Sequence, residues 1–221
     1  PLVASLNGLF GRLRQSIDHE RRFNADAAHE LRTPLAGVRA QAEVALGASA
    51  DAERTHALRQ VIAGCDRAAR LVDQMLTLAR LDPKRTLAGG ARFDLAAVAR
   101  DAIAEIAPAG HARGVDVALD ASPAQIVGDP ALVAILLRNL LDNAIRHGPA
   151  GTTVEVGVQA VTSGAELVVT DQGPGVPPEE RDRLGERFHR VLGTGETGSG
   201  LGLSIVRRIA ELHHAEVVFG A

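Results

Sequence analysis

The stretch Ala28-His29-Glu30-Leu31-Arg32-Thr33-Pro34-Leu35 decides the fold of the N-terminal part of this chain of 221 residues. It belongs to a run in which small and apolar residues recur at heptad spacing, namely Ala28, Leu31, Leu35, Val38, Ala42 and Ala45. This spacing predicts a helix with one buried face, and it places His29, Glu30 and Thr33 on the solvent side. His29 and Thr33 are one turn apart and share a patch of surface. Pro34 lacks a backbone donor and should kink the helix.

Outward from this stretch, the pattern predicts two long helices. Residues 1 to about 47 form one nearly continuous helix, and a leucine seam with coiled-coil spacing begins it at Leu2, Leu6, Leu9 and Leu13. The two seams differ in phase by a stutter near Ile17. After a turn, a second helix runs to about Leu81 with a broad apolar stripe at Leu58, Ile62, Cys65, Ala69, Val72, Leu76 and Ala79. Two helices cannot bury so wide a stripe, so we predict a helical hairpin that forms a dimeric four-helix bundle, and hence a homodimer.

After a linker rich in residues that interrupt helices and strands, the pattern of apolar residues changes to one typical of a mixed α/β domain. Asp94 should cap a helix that ends near Ala112, and Asp129-Pro130 should begin a helix that ends at His147. Strands are predicted at residues 115–119, 154–161, 165–171 and 215–219, and a helix at 201–213. Residues 173–200 are rich in glycine and proline, which predicts a long loop.

Composition excludes several classes of protein. The formal net charge is −3 and there is no basic stripe, which argues against a direct nucleic-acid partner. Cys65 is the single cysteine, so no internal disulfide can form. No apolar run approaches the roughly 20 residues of a membrane span, so we expect no direct membrane contact in this chain. With no Met at position 1, we expect a fragment of a longer protein.

His29 and its neighbours are candidates for group-transfer chemistry. A neutral imidazole has a nucleophilic ring nitrogen, and Glu30 could accept from the other ring N–H and stabilise positive charge on the ring. A phosphorylated imidazole holds a reactive N–P bond, which suits it to pass the group onward. Thr33 could position a water molecule for the reverse, dephosphorylating reaction. The alternative is an ordinary solvated helix face, which is the commoner meaning of a lone His–Glu pair.

A second set of polar and glycine residues lies further along the chain. Asn139 and Asn143 are one turn apart on an otherwise apolar helix, where a phosphate-bound Mg²⁺ could be the partner of a carboxamide. Asp171 ends a strand just before Gly173 and Gly175, and its carboxylate can accept from an exocyclic amine such as that of adenine. Each feature also has an ordinary explanation, an exposed polar face for the asparagines and a common turn for Asp-x-Gly-x-Gly.

A third cluster consists of Gly198, Gly200, Leu201 and Gly202 at the start of a predicted helix. The free N–H groups of such a helix start can face phosphates. Alone, a glycine triplet is equally consistent with a turn followed by a cap.

In this order and spacing, the motifs resemble the H-box of sensor histidine kinases and the N, G1, F and G2 boxes of the GHKL (Bergerat-type) ATPases. The residues in and around these motifs are most similar to those of the QseC/PmrB-like sensor kinases. The resemblance implies that the second domain is an α/β sandwich with a lid. It also implies that His29 is the phosphorylated residue, that Glu30 assists transfer and that Thr33 is associated with phosphatase activity.

The same resemblance implies roles around the nucleotide. Asn143 would be the main Mg²⁺ ligand, supported by Asn139. Asp171 would read adenine, and Arg190 would contact the γ-phosphate, where transferring phosphoryl oxygens need a cation. The remaining residues implied to bind ATP are Arg146, His147, Gly173, Gly175, the lid aromatic Phe188, Gly198, Gly200, Leu201 and Gly202.

The resemblance further implies the organisation of the chain and its partners. Residues 1–20 would end a HAMP-type signalling helix, 21–82 would form the dimerisation and phosphotransfer domain, 83–91 the linker, and 92–221 the ATP-binding domain, apparently without its final strand. The parent protein would be a bacterial inner-membrane sensor of which this is the cytoplasmic portion. ATP and Mg²⁺ would be the cofactors, and the aspartate of a response regulator receiver domain would be the acceptor. Two alternatives are a protein that acts mainly as a phosphatase and an ATP-binding switch without catalysis.

Overall fold

In a computed structural model, the chain divides into two compact units, Pro1–Leu76 and Thr77–Ala221. The structure describes residues 2–81, 90–162, 164–189 and 198–220, and between residues 2 and 24 it describes the side chains only of Phe10, Arg14 and Ile17. The leucine side chains of the N-terminal seam, most of the predicted linker, and Arg190 therefore lie outside the described part.

The first unit is built from two long helices, as predicted. Helix α1 spans Leu2–Gly47 and continues through Pro34, and helix α2 spans Asp51–Arg80, so its last turn belongs to the second unit. Acidic residues in the first turn of α2 complement the positive end of its dipole.

The two helices approach closely at Gly64, where an added Cβ would lie 2.5 Å from Val38 Cγ2. Ala45, Ala57 and Leu71 are buried in this unit. In the single chain Ala28 and Leu35 are exposed, in line with the prediction that the apolar stripe is wider than two helices can bury. Two helices cover only one side of each other, which leaves the rest of a broad stripe in solvent.

The second unit contains two sheets. Strands β1 and β3 form an antiparallel pair, while in the other sheet β2 is parallel to β4 and β4 is antiparallel to β5. The strand bounds are β1 Ala91–Asp94, β2 Asp116–Ala121, β3 Gln125–Gly128, β4 Thr153–Val161 and β5 Gly164–Thr170.

Four helices accompany these strands in the order predicted for an α/β sandwich, with one short addition. Their bounds are α3 Leu95–Ala112, α4 Pro130–His147, α5 Pro178–Arg181 and α6 Gly202–Leu212. Helix α4 packs against both α3 and α6. Among the residues that the structure describes, no helix combines the length and apolar character needed to cross a membrane.

Aspartate caps fix where the two longer helices of this unit begin. The carboxylate of Asp94 accepts from Ala96 N at 3.2 Å and from Ala124 N at 2.9 Å, which ties the start of α3 to the turn between β2 and β3. Asp129 caps α4 by accepting from Ala131 N at 2.9 Å, and Pro130 occupies the first helical position, where a missing N–H has no cost.

The aliphatic core of the second unit lies between the helices and the three-stranded sheet. Leu137 and Leu141 of α4 are fully buried there, as are Ala99 of α3 and Val154 and Val156 of β4. The polar groups of α4 are consequently confined to the remaining side of that helix.

The sequence pattern missed β1, β3 and α5, and its strand at residues 215–219 was wrong. Within the described part of the chain, residues 215–220 take part in no ladder. An alternating apolar pattern becomes a strand only where a neighbouring strand supplies hydrogen bonds.

Candidate functional site

His29 lies on the open side of α1. Its side chain is exposed, Glu30 beside it is half-buried, and Thr33 Oγ1 donates to the His29 carbonyl oxygen at 3.5 Å. In the part of the chain that the structure describes, no hydrogen bond joins the Glu30 carboxylate to the His29 ring. The imidazole is therefore accessible to a reactant, with a hydroxyl and a carboxylate nearby on the same helix.

The polar side of α4 faces the start of α6. Asn139 and Asn143 are half-buried, and Asn139 Nδ2 donates to the carbonyl oxygen of Ile135 at 2.8 Å. An added Cβ on Gly202 would lie 3.1 Å from Asn139 Oδ1. The first residue of α6 thus sits directly against the carboxamide of Asn139.

Arg146 extends this polar side toward the glycine cluster. Its Nη2 pairs with Asp142 Oδ2 at 2.5 Å, and a Cβ on Gly198 would lie 3.9 Å from its Nη1. Arg113 Nη2 donates to the Arg146 carbonyl oxygen at 3.2 Å, which satisfies an acceptor at the end of α4. Sequence reasoning missed Arg113, because its pattern gives no sign of this distant contact.

The loop after β5 closes against the end of α4. Gly173 N donates to Asp171 Oδ1 at 2.8 Å, and an added Cβ on Gly173 would lie 3.1 Å from the His147 carbonyl oxygen. Gly175 has a φ of 70°. One carboxylate oxygen of exposed Asp171 is thereby fixed within the turn, and the other can meet an amine of a ligand.

Phe188 and Gly200, which flank residues 190–197, are in contact. Phe188 N donates to the Gly200 carbonyl oxygen at 3.1 Å. Both residues have positive φ, 60° and 67°, and a Cβ on Gly200 would lie 2.6 Å from the Phe188 carbonyl carbon. Only glycine fits at position 200, because any other residue would carry this Cβ. Next to Phe188, the ring of His189 lies 2.8 Å from the Glu180 carboxylate.

Helix α6 begins without a side-chain cap from its N-cap residue, the buried Leu201. The backbone N–H of Leu201 itself donates to Ser199 Oγ at 3.2 Å. The N–H groups of the first turn of α6 are therefore not covered by Leu201, which is the state required of a helix start that binds phosphate.

These contacts bring one group of predicted residues together and leave another apart. Asn139, Arg146 and His147 meet the loops of Gly173, Gly198 and Gly202 in the second unit, whereas His29, Glu30 and Thr33 belong to the first unit. Arg190 lies outside the described residues.

The polar side of α4 and the glycine loops that contact it have the groups that a nucleotide with its metal requires. Glycines stand where side chains would collide, an asparagine pair supplies neutral oxygen ligands, and a guanidinium lies at the glycine loop. Among the described residues, no group of three or more His, Cys, Asp or Glu side chains could hold a metal by itself. Carboxamide oxygens and phosphate oxygens are both ligands that Mg²⁺ accepts.

Two family models match separate parts of this chain. Residues 128–220 match the family described as "Histidine kinase-, DNA gyrase B-, and HSP90-like ATPase", and residues 19–84 match "His Kinase A (phospho-acceptor) domain".

Two curated relatives and one solved structure give the degree of similarity. The Sensor protein QseC of Salmonella typhi is 48% identical over 100% of this chain and 49% of its own length. The Sensor protein kinase PmrB of Pseudomonas aeruginosa is 39% identical over 99% of this chain and 46% of its own length. The structure of a mycobacterial sensor histidine kinase, MprB, is 34% identical, covers 57% of this chain and 80% of its own, and has a TM-score of 0.52. The chain spans about half the length of the curated relatives it matches.

Proposed function

The chain belongs to the two-component sensor histidine kinases, and from that premise we propose that it uses ATP to phosphorylate its own His29 and passes the phosphoryl group to a response regulator. In the first step a ring nitrogen of His29 forms a bond to the γ-phosphorus, the bond from that phosphorus to the bridging oxygen breaks, and ADP leaves. In the second step an aspartate oxygen of the regulator takes the phosphoryl group and the imidazole is released.

The observation that carries the proposal is the convergence of α4 with the glycine loops. The contact of Gly202 with Asn139 and the approach of Arg146 to Gly198 put a helix start, a carboxamide and a cation at one place. Phosphate oxygens are bound by these three kinds of group together. Asp171 supports the assignment of adenine as the base, because its position after β5 lets a carboxylate accept from an exocyclic amine.

The remaining roles follow from the family. Mg²⁺, when bound, would neutralise charge on the phosphates, with Asn143 as its protein ligand and Asn139 in support. Arg190 would contact the γ-phosphate and Phe188 would belong to the lid. Glu30 would hold the His29 ring in the reactive tautomer.

The test is incubation of the full chain with γ-labelled ATP and Mg²⁺. Wild type and His56→Gln should acquire acid-labile, base-stable label, and His29→Gln should acquire none. His56 is a suitable control because it is also exposed on a helix of the first unit. Wild-type protein that binds ATP without becoming labelled would instead make the chain an ATP-binding switch.

A regulator phosphatase is a second activity that one contact favours. Thr33 lies one turn after His29 and its Oγ1 donates to the His29 carbonyl oxygen, so the hydroxyl and the imidazole belong to the same side of α1. We expect Thr33→Ala to lose dephosphorylation of the regulator while His29 still becomes labelled, and Thr33→Ser to retain both. Equal loss of both activities in Thr33→Ala would remove the separate role of this hydroxyl.

We also propose that the chain is a homodimer through the α1–α2 hairpin. Several large apolar side chains of the hairpin are exposed in one copy, among them Leu35, Leu58, Ile62, Val72 and Leu76. A second hairpin would cover them in a four-helix bundle. The likeness to the sensor protein QseC, of which this chain covers 49%, supports the further proposal that this is the cytoplasmic portion of an inner-membrane kinase.

A further inference from the structure

His213, at the end of α6, connects that helix to the beginning of α4. Asp129 N donates to His213 Nε2 at 3.0 Å, and His213 Nδ1 lies 2.7 Å from the Ile209 carbonyl oxygen. The ring is half-buried. The sequence pattern predicted a helix at residues 201–213, and it did not indicate this contact.

The two partners assign the tautomer of the ring. A backbone N–H can only donate, so Nε2 must be the acceptor, and Nδ1 then carries the hydrogen that is donated to Ile209. Both nitrogens of a neutral imidazole are thus used, one within α6 and one toward α4.

Gly128 leaves the space that the ring occupies. An added Cβ at this position would lie 2.3 Å from His213 Cδ2 and 2.6 Å from Nε2. Any other residue at position 128 would displace the ring, because real Cβ contacts are not this short. The glycine before Asp129 is the only sign of the contact in the sequence.

Helix α6 is therefore attached to α4 at both of its ends. Gly202 contacts Asn139 at one end, and His213 bonds to Asp129 at the other. The helix has 11 residues, so the two attachments are about 16 Å apart. Together with the buried apolar side chains of α6, two attachments at this separation fix the direction of the helix axis.

We propose that His213 is a positioning residue for nucleotide binding, which sets the direction of α6 so that its first turn faces the phosphates. The proposal rests on the proposed function of the Gly198–Gly202 turn as the phosphate-binding part of the site. His213 acts only through α6, and it lies at the opposite end of that helix from the nucleotide.

The experiment compares the affinities of the full chain for Mg²⁺-ATP and for adenosine, measured by calorimetry. We expect His213→Leu to weaken Mg²⁺-ATP binding about tenfold, because small displacements of binding groups are costly, and to leave adenosine binding within about twofold. Adenosine has no phosphates, so it reports the adenine side of the site alone.

Two further variants distinguish positioning from mere stability. His213→Gln should restore most of the ATP affinity, since its side-chain oxygen can accept from Asp129 N. Gly128→Ala keeps the imidazole but displaces it, so it should reproduce the loss seen in His213→Leu. Thermal melts of each variant monitor folding.

The outcomes separate this proposal from the function on which it rests. Unchanged ATP affinity in His213→Leu would overturn it, as would an equal loss of ATP and adenosine binding that glutamine does not restore. Wild-type protein that binds adenosine but gains nothing from phosphates would refute the phosphate-binding role of the turn itself. A selective loss of ATP affinity with rescue by glutamine would support it.

Discussion

Several glycines of the second unit, among them Gly128, Gly173 and Gly202, lie where a side chain would crowd a polar group of another residue. A Cβ would meet the His213 ring at Gly128, the His147 carbonyl oxygen at Gly173, and Asn139 Oδ1 at Gly202. In each case the glycine allows two segments distant in sequence to touch. At these positions the absence of a side chain is what permits the contact.

Gly202→Ala should therefore lower the free energy of unfolding by about 1 kcal/mol, since Asn139 is held by Ile135 and cannot easily move aside. Gly198→Ala is the matched control, because the nearest atom to its Cβ lies 3.9 Å away. That control should be neutral or slightly stabilising, owing to the reduced entropy of the unfolded chain. Urea denaturation measures both variants, and equal stability of the two would contradict the importance of the Asn139 contact.

At the scale of helices and strands, the sequence predicts best where a chemical signal marks a boundary. Asp94 and Asp129-Pro130 marked the starts of α3 and α4 correctly because a carboxylate cap and a proline both have local reasons to be there. Strands β1 and β3 have four residues each, too few to show a period, and they exist through their mutual pairing.

The same distinction applies to the candidate site. The asparagine pair and the glycine clusters could be recognised from order and spacing, and the structure adds which of them touch. The contacts of Arg113 and His213 could not be predicted, because each joins segments far apart in the sequence and neither belongs to a periodic pattern. Pairing between distant segments is decided by the whole fold and leaves little trace in local sequence.

The close approach of the two long helices gives a prediction at this scale. Gly64→Ala should destabilise the hairpin by about 1–3 kcal/mol, because its Cβ would meet the stiff, branched side chain of Val38 at 2.5 Å. Adding Val38→Ala should recover part of the loss by making room. Thermal unfolding followed by circular dichroism tests the pair, and additive losses in the double variant would show that the two residues do not compete for space.

At the scale of the whole molecule, the hairpin exposes apolar side chains that the proposed four-helix bundle would cover. Ile62 is 62% exposed and Leu58 is 48% exposed on the same side of α2. Large apolar residues grouped in this way on a helix are usually covered by a partner. The sequence already predicted this from the width of the stripe, and it could do so because helical periodicity depends on the chain alone.

Ile62→Asp should accordingly convert a dimer into monomers at micromolar concentration, because a carboxylate cannot be buried in an apolar seam without a partner. Arg70→Asp is the control, since it adds the same side chain at another exposed position of α2. Light scattering after size exclusion gives the mass of each variant. A wild-type chain that is monomeric, or an Ile62→Asp variant that remains dimeric, would refute the predicted interface.

Helix α1 runs unbroken through Pro34, and this continuity has a mechanical consequence. A helix of 46 residues is a rod about 70 Å long, and the torsional stiffness of a rod is limited by its softest turn. Pro34 has no N–H to donate to the carbonyl oxygen of Glu30. The missing backbone hydrogen bond therefore falls within the turn that bears His29. Torque applied at either end of α1 would accumulate as twist at that turn, and the imidazole would swing around the helix axis while the turns on both sides kept their shape.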